Sequence, residues 1–166
     1  MKLATQSSPR SKSANQPVIL TTAPQQKDAT KDCLRDKLHT GCFACDPSHL
    51  FGLKLRCQLI DDGKRAQAAF TPSAWMRSYA EQIHGGLIST LLDSAMTQFL
   101  LLHGIQAVTG TLDLRYRKPA PIDHNFTVTA WCHENRGRIL RMRAEFRDSD
   151  GTLITEARAQ FAKVTR

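Results

Sequence analysis

No stretch of this sequence approaches the 18 or more consecutive apolar residues that a membrane-spanning helix needs; the run Phe99-Leu100-Leu101-Leu102 is as long as any. No apolar segment follows the polar N-terminus, so no secretory leader is expected, and the absence of an Arg-rich amphipathic helix speaks against a transit peptide. Acidic residues are missing before Asp28. Cysteine is sparse and odd in number, five in all, which predicts reduced thiols and a cytoplasmic location. Only one close cysteine pair exists, Cys42-x-x-Cys45. A structural zinc site normally shows a second pair, so no metal is expected, although His39, His49, Cys33 and Cys57 are the residues to which such a site would turn. No βαβ pattern surrounds the pair, which argues against a thioredoxin-like role. The formal charge of +8 is spread along the chain without a nucleic-acid recognition motif. Neither a nucleic-acid partner nor a membrane partner is expected.

What is present reads as one domain. At 166 residues there is room for a real core. Residues 1–30, rich in Ser, Thr, Gln, Lys and Pro, are expected to be a disordered arm ahead of a domain spanning 31–166, with a short helix somewhere in 27–39. Leu53, Leu55, Cys57 and Leu59 alternate with polar residues as in a half-buried strand. Asp61-Asp62-Gly63 is a turn, and Ala66, Ala68 and Phe70 continue the alternation. From Ile83 to His103 the period changes. Leu87, Ile88, Leu91, Leu92, Ala95, Met96, Phe99 and Leu102 keep helical spacing, and Gly104 is a natural stop.

Four alternating segments follow: Val108, Leu112, Leu114 and Tyr116; Phe126, Val128, Ala130 and Cys132; Leu140, Met142, Ala144 and Phe146; and Leu153, Thr155, Ala157, Ala159 and Phe161. Turn chemistry separates them at Lys118-Pro119-Ala120-Pro121, Asn135-Arg136-Gly137 and Asp148-Ser149-Asp150-Gly151. One helix with a broad apolar stripe and one antiparallel sheet with a single apolar face bury each other. The fold class is therefore α+β, a sheet wrapped around a long central helix.

The run His84-Gly85-Gly86-Leu87-Ile88-Ser89-Thr90-Leu91-Leu92-Asp93 resembles the signature of hotdog-fold acyl-CoA thioesterases of the phenylacetate-degradation (PaaI-like) type. That signature is an H-G-G turn opening the central helix, with an acidic residue nine positions after the histidine. Tyr116-Arg117-Lys118-Pro119-Ala120 is similar to the family's Y-x-x-P-A strand end, Gly137-Arg138 to its G-R hairpin, and Asp150-Gly151 to its last turn. Cys42-Phe43-Ala44-Cys45 with Gly52-Leu53 is similar to a C-F-x-C segment in part of the family. The likeness spans roughly residues 40–164. Relatives often carry Asn or Gln just before the turn, where this chain has Ser78-Tyr79-Ala80-Glu81-Gln82-Ile83, so Gln82 or Ser78 would stand in.

The resemblance implies hydrolysis of an acyl-CoA to a free acid and CoA in a homodimer or a dimer of dimers, with no cofactor beyond the CoA of the substrate. Thioester hydrolysis needs donors for the carbonyl oxygen, a base or nucleophile, and a place for the CoA anion. A helix N-terminus supplies unpaired N–H groups and a positive dipole end. By resemblance Gly85 N–H, next to His84, is the oxyanion donor, and Gly86 lets substrate approach. Gly86, Thr90, Asp93 and Thr97 share the helix face opposite the apolar stripe. Alone, this would read as a solvated face. Leu100 and Leu101, however, flank it, which suggests that something covers it. Asp93 would then activate water or attack the thioester, with Thr97 orienting it and Thr109 lining the site. Arg117, Lys118, Arg136 and Arg138 are candidates for the CoA phosphates. A hotdog hydratase or dehydratase and a non-catalytic acyl-CoA-binding module are the competing readings.

Overall fold

The computed structural model describes residues 34–164. The arm expected over residues 1–30 lies outside the described residues, as does Cys33. Of the helix expected over 27–39, the described part is α1 (Leu34–Leu38). Then come β1 (Gln58–Ile60), β2 (Arg65–Phe70), a 3₁₀ turn (Ala74–Met76), α2 (Gly85–Leu102), β3 (Ala107–Tyr116), β4 (Phe126–Arg136), β5 (Ile139–Asp148) and β6 (Leu153–Lys163). The six strands form one antiparallel sheet in the order β1-β2-β4-β5-β6-β3. β3 is an edge strand, ten residues long and largely exposed.

Register explains how the helix fits. Ala66 pairs with Ala130, Ala130 with Ala144, and Ala144 with Ala157. All four are buried. The row forms a trough across four strands where the helix can approach closely, and Phe126, Phe146 and Phe161 fill the space beyond it. Into this surface α2 packs Ile88, Leu91, Leu92, Ala95, Met96 and Phe99. By length and composition α2 is apolar enough to cross a bilayer, but here it is the core helix. It ends where Gly104 adopts φ +71° and donates to the Leu101 carbonyl at 3.0 Å.

Three expectations need correction. The strand expected over 53–59 shrinks to Gln58–Ile60, because Lys54 adopts φ 55° and breaks the extended run. Its backbone partners lie elsewhere: Leu53 and Leu55 donate to the carbonyls of Phe43 and Ala44 at 2.8 and 2.9 Å. Val108 is not on the inner face of β3, and is 58% exposed. A register shift between Thr109 and Thr111 changes the parity, so that Thr109 rather than Val108 shares the inner face with Leu112 and Leu114. Finally, Leu100 and Leu101 are buried within the single chain and leave no apolar patch.

One buried polar side chain ties the irregular 53–57 segment to the helix. Gln98 Oε1 accepts from the Cys57 N–H at 3.0 Å and from Arg35 at 3.4 Å. Its Nε2 donates to the Leu55 carbonyl at 2.9 Å and to Ser94 Oγ at 3.1 Å. Gln98→Leu should orphan two buried backbone groups and lower stability by about 2–4 kcal/mol. A urea melt with a reduced midpoint and an unchanged slope would show this. An unchanged midpoint would remove the network from the stability of the fold.

Candidate active site

The H-G-G turn is built by capping. His84 is extended (φ −62°, ψ 125°), and its ring Nδ1 accepts the Gly86 N–H at 2.9 Å. A neutral His84 therefore carries its proton on Nε2. Leu87 and Ile88 donate to the His84 carbonyl at 2.9 and 3.3 Å. Among the described residues no acceptor faces the Gly85 N–H, which leaves it as the open donor of the first turn. Gly86, expected to bind substrate, has its own N–H committed to His84, and a Cβ there would lie 3.0 Å from that ring.

The turn is held from three sides. His84 N–H donates to the Met76 carbonyl at 2.8 Å, and Ile83 N–H to the Ala120 carbonyl at 2.9 Å. Tyr116 Oη donates to the Gly85 carbonyl at 2.8 Å. The Y-x-x-P-A segment thus folds back onto the H-G-G turn from both ends. Residue reading placed Tyr116 on a strand face and missed this role; the motif to which it belongs was the available signal. Ser78 and Gln82 form a small turn, with Ser78 N–H on the Gln82 carbonyl at 2.8 Å. Ser78 is exposed and Gln82 half-buried.

Asp93 lies on the half-buried flank of α2 beside β3. Its Oδ1 accepts from Thr109 Oγ1 at 2.8 Å. The two residues singled out from sequence are therefore brought together, and the shift around Gly110 turns Thr109 inward to do it. Thr97 is half-buried one turn further on, while the Thr90 and Ser89 hydroxyls donate to the Gly86 carbonyl at 3.0 and 2.7 Å. Gly85 and Asp93 are not brought together. Eight residues at about 1.5 Å each separate them by roughly 12 Å along the helix. A reacting carbonyl needs its donor within about 3 Å, so these two groups of one chain do not meet at one thioester.

The basic candidates are dispersed. Arg117 pairs with Glu156 at 2.6 Å and Arg136 with Glu134 at 2.5 Å, while Lys118 and Arg138 are exposed. Buried thiols are poor nucleophiles here: burial pushes Cys45 and Cys57 up to about 12 and Cys132 up to about 11. A cavity of about 280 Å³ opens between Asp113, His133, Arg141 and Arg158, on the sheet face turned away from α2. It contains none of the motif residues.

Comparison with known proteins points one way. Residues 81–155 match the thioesterase superfamily. Mouse acyl-coenzyme A thioesterase THEM4 is 29% identical over 102 residues, covering 61% of this chain; the chain spans 44% of THEM4. The PaaI protein of the Escherichia coli phenylacetic acid degradation operon superposes with TM-score 0.63 at 19% identity, over 68% of this chain and 81% of that one. A hypothetical thioesterase from Streptococcus pneumoniae, solved with coenzyme A, superposes with TM-score 0.62 at 17% identity, over 67% and 86%. Two further structures of that streptococcal protein carry an aspartate-to-alanine and a threonine-to-alanine change, sixteen positions apart. The fold is the hotdog fold of these thioesterases.

Proposed function

We propose that this chain, hotdog in fold and matching the thioesterase superfamily over residues 81–155, hydrolyses the thioester of an acyl-CoA to a free acid and CoA. The observation that carries the reading is the hydrogen bond from Thr109 to Asp93, on a helix whose first turn presents the open Gly85 N–H. The spacing of sixteen between Asp93 and Thr109 equals that of the two positions altered in the streptococcal thioesterase, which supports the pair as its counterpart.

In this mechanism the Gly85 N–H and the positive end of α2 stabilise the oxyanion formed when the thioester carbonyl is attacked. Asp93 either takes a proton from the attacking water and returns it to the CoA thiolate as the C–S bond breaks, or attacks the carbonyl itself. Direct attack expels CoA thiolate and leaves a mixed anhydride that water hydrolyses to the free acid, with one proton of that water passing to the thiolate. His84 preorganises the donor by capping, and Tyr116 holds the Gly85 peptide from its carbonyl side. Gln82 and Ser78 beside the turn, and Thr97 beside Asp93, complete the surroundings of the acyl group. Lys118 and Arg138 are the side chains most open to CoA phosphates.

The separation of Gly85 from Asp93 supports a homodimer, or a dimer of such dimers, as the functional unit. Two chains with antiparallel helices set the Gly85 turn of one against Asp93 of the other. The edge strand β3, which carries Thr109 and is paired on one side only, is the surface through which chains would join. The four described cysteines are free thiols, in keeping with a reducing cytoplasm.

Release of free thiol from short, medium, long and aromatic acyl-CoAs by the purified protein tests the activity. At least one should be turned over, with acid and CoA in equal amounts. Binding without thiol release would replace hydrolysis by a non-catalytic role, and hydration of an enoyl-CoA without cleavage would make it a hydratase.

A further inference from the structure

The Cys42-x-x-Cys45 pair is not used by the proposed chemistry, yet the fold gives it a third partner. His39, immediately after α1, directs Nδ1 to within 3.2 Å of Cys45 Sγ, and the donor atoms of His39, Cys42 and Cys45 all lie within 4.8 Å of one another. We propose that these three side chains bind a single Zn²⁺ ion, with water in the fourth position, as a clip joining α1 to the leading edge of the sheet. This departs from the expectation of no metal, which rested on the missing second cysteine pair; His39, three residues before Cys42, is brought onto the pair by the local turn.

The distances fit. Zinc bonds of about 2.3 Å to sulfur and 2.0–2.1 Å to nitrogen, at tetrahedral angles, set ligand atoms roughly 3.5–3.8 Å apart. The group therefore closes on an ion with shifts of a few tenths of an ångström to about one. Two thiolates and an imidazole are also the donor set that zinc prefers to magnesium or calcium.

The backbone around them is a tight knuckle already held in place. Cys42 N–H donates to the His39 carbonyl at 3.1 Å, and Asp46 N–H to the Cys42 carbonyl at 3.0 Å. Gly41 turns the chain with φ +77°, and the Asp46 carboxylate accepts its N–H together with that of Ser48. Cys45 forms the buried floor, while His39 and Cys42 are half-buried and give an ion a way in. The knuckle in turn pairs with 53–55, and a Cβ on Gly52 would lie 2.6 Å from the Phe43 carbonyl, so the two segments are in close contact. An ion here would order the whole connection between α1 and β1.

The test uses the full chain, reduced and freed of metal by chelator, titrated with Zn²⁺ against a chromophoric competitor and separately with Co²⁺. One zinc per chain is expected, together with a thiolate-to-cobalt charge-transfer band and a zinc-dependent rise in melting temperature. Cys42→Ser and His39→Gln should each weaken zinc by more than the roughly 10–100-fold that altering an outer-shell partner costs, while Cys132→Ala should leave it unchanged. Reduced wild-type protein that takes up no stoichiometric zinc would overturn the proposal. So would zinc and cobalt binding that persists in Cys42→Ser at wild-type strength, or cobalt spectra without thiolate charge transfer. None of these readouts depends on acyl-CoA hydrolysis, so failure here and failure of the thioesterase reading are separable.

Discussion

Replacing Asp93 by Asn should lower kcat by a factor on the order of a hundred or more, the range for a positioned acid-base group. The substitution keeps the shape and keeps an oxygen for Thr109 Oγ1 to donate to, so the contact between α2 and β3 survives. It removes the negative charge, and with it both basicity and nucleophilicity. Substrate binding should change far less, because a neutral amide occupies the same space; the loss should appear in kcat with KM nearly preserved. Thr109→Val should produce a smaller loss, since it deletes a hydrogen bond to the carboxylate and not the carboxylate itself. Steady-state kinetics on any active acyl-CoA decides the matter. Equal kcat values for wild type and Asp93→Asn would return Asp93 to the solvated polar face of an ordinary helix.

Gly85→Pro should cost a comparable amount, about 10²–10³ in kcat, the range for removing one oxyanion donor. Proline is well suited to the first helical position, where its missing N–H has no intrahelical acceptor. The residue before a proline must be extended, and His84 already is, at φ −62° and ψ 125°. A Cβ at position 85 would touch the Tyr116 ring at 3.5 Å, an ordinary contact. The substitution therefore removes one N–H with little else disturbed. Gly85→Ala, which keeps the N–H, should retain most activity, and full activity in Gly85→Pro would exclude this N–H from the chemistry.

The two variants also test how the site is assembled. If Gly85 of one chain serves Asp93 of another, a dimer of Asp93→Asn with Gly85→Pro contains one intact site and one doubly deficient site. Random exchange of equal amounts makes half the dimers mixed, so activity should recover to about a quarter of wild type. Sedimentation of the wild type as a dimer or tetramer should accompany this. Two inactive parents that stay inactive after proven subunit exchange would place both groups in one chain.

Much of this protein was legible in its sequence because each signal was local. Period-two alternation from Phe126 to Phe161 and the helical period from Leu87 to Leu102 report which side chains face a core, whatever that core proves to be. Glycine at 85 and 104 marks the two ends of the helix for backbone reasons that need no tertiary contact. Resemblance put Thr109 only in the lining of the site; its pairing with Asp93 came from the structure, since nothing in the spacing of 93 and 109 alone places a helix beside a strand.

Other features depended on pairing between distant segments. Alternation cannot see a bulge, so the shift at Gly110 inverted the expected face of Val108 and turned Thr109 toward the helix. Apolar spacing cannot see Gln98, whose four partners lie on segments up to 63 residues away in the chain. The alanine trough exists only once Ala66, Ala130, Ala144 and Ala157 are in register. Sequence by itself determined most of the elements and their buried faces, because these follow from backbone geometry and hydrophobicity over a few residues, while the candidate site residues came from resemblance to a family. The tertiary structure alone decided register and the inward turn of Thr109, because these depend on which distant groups satisfy one another's hydrogen bonds and volume.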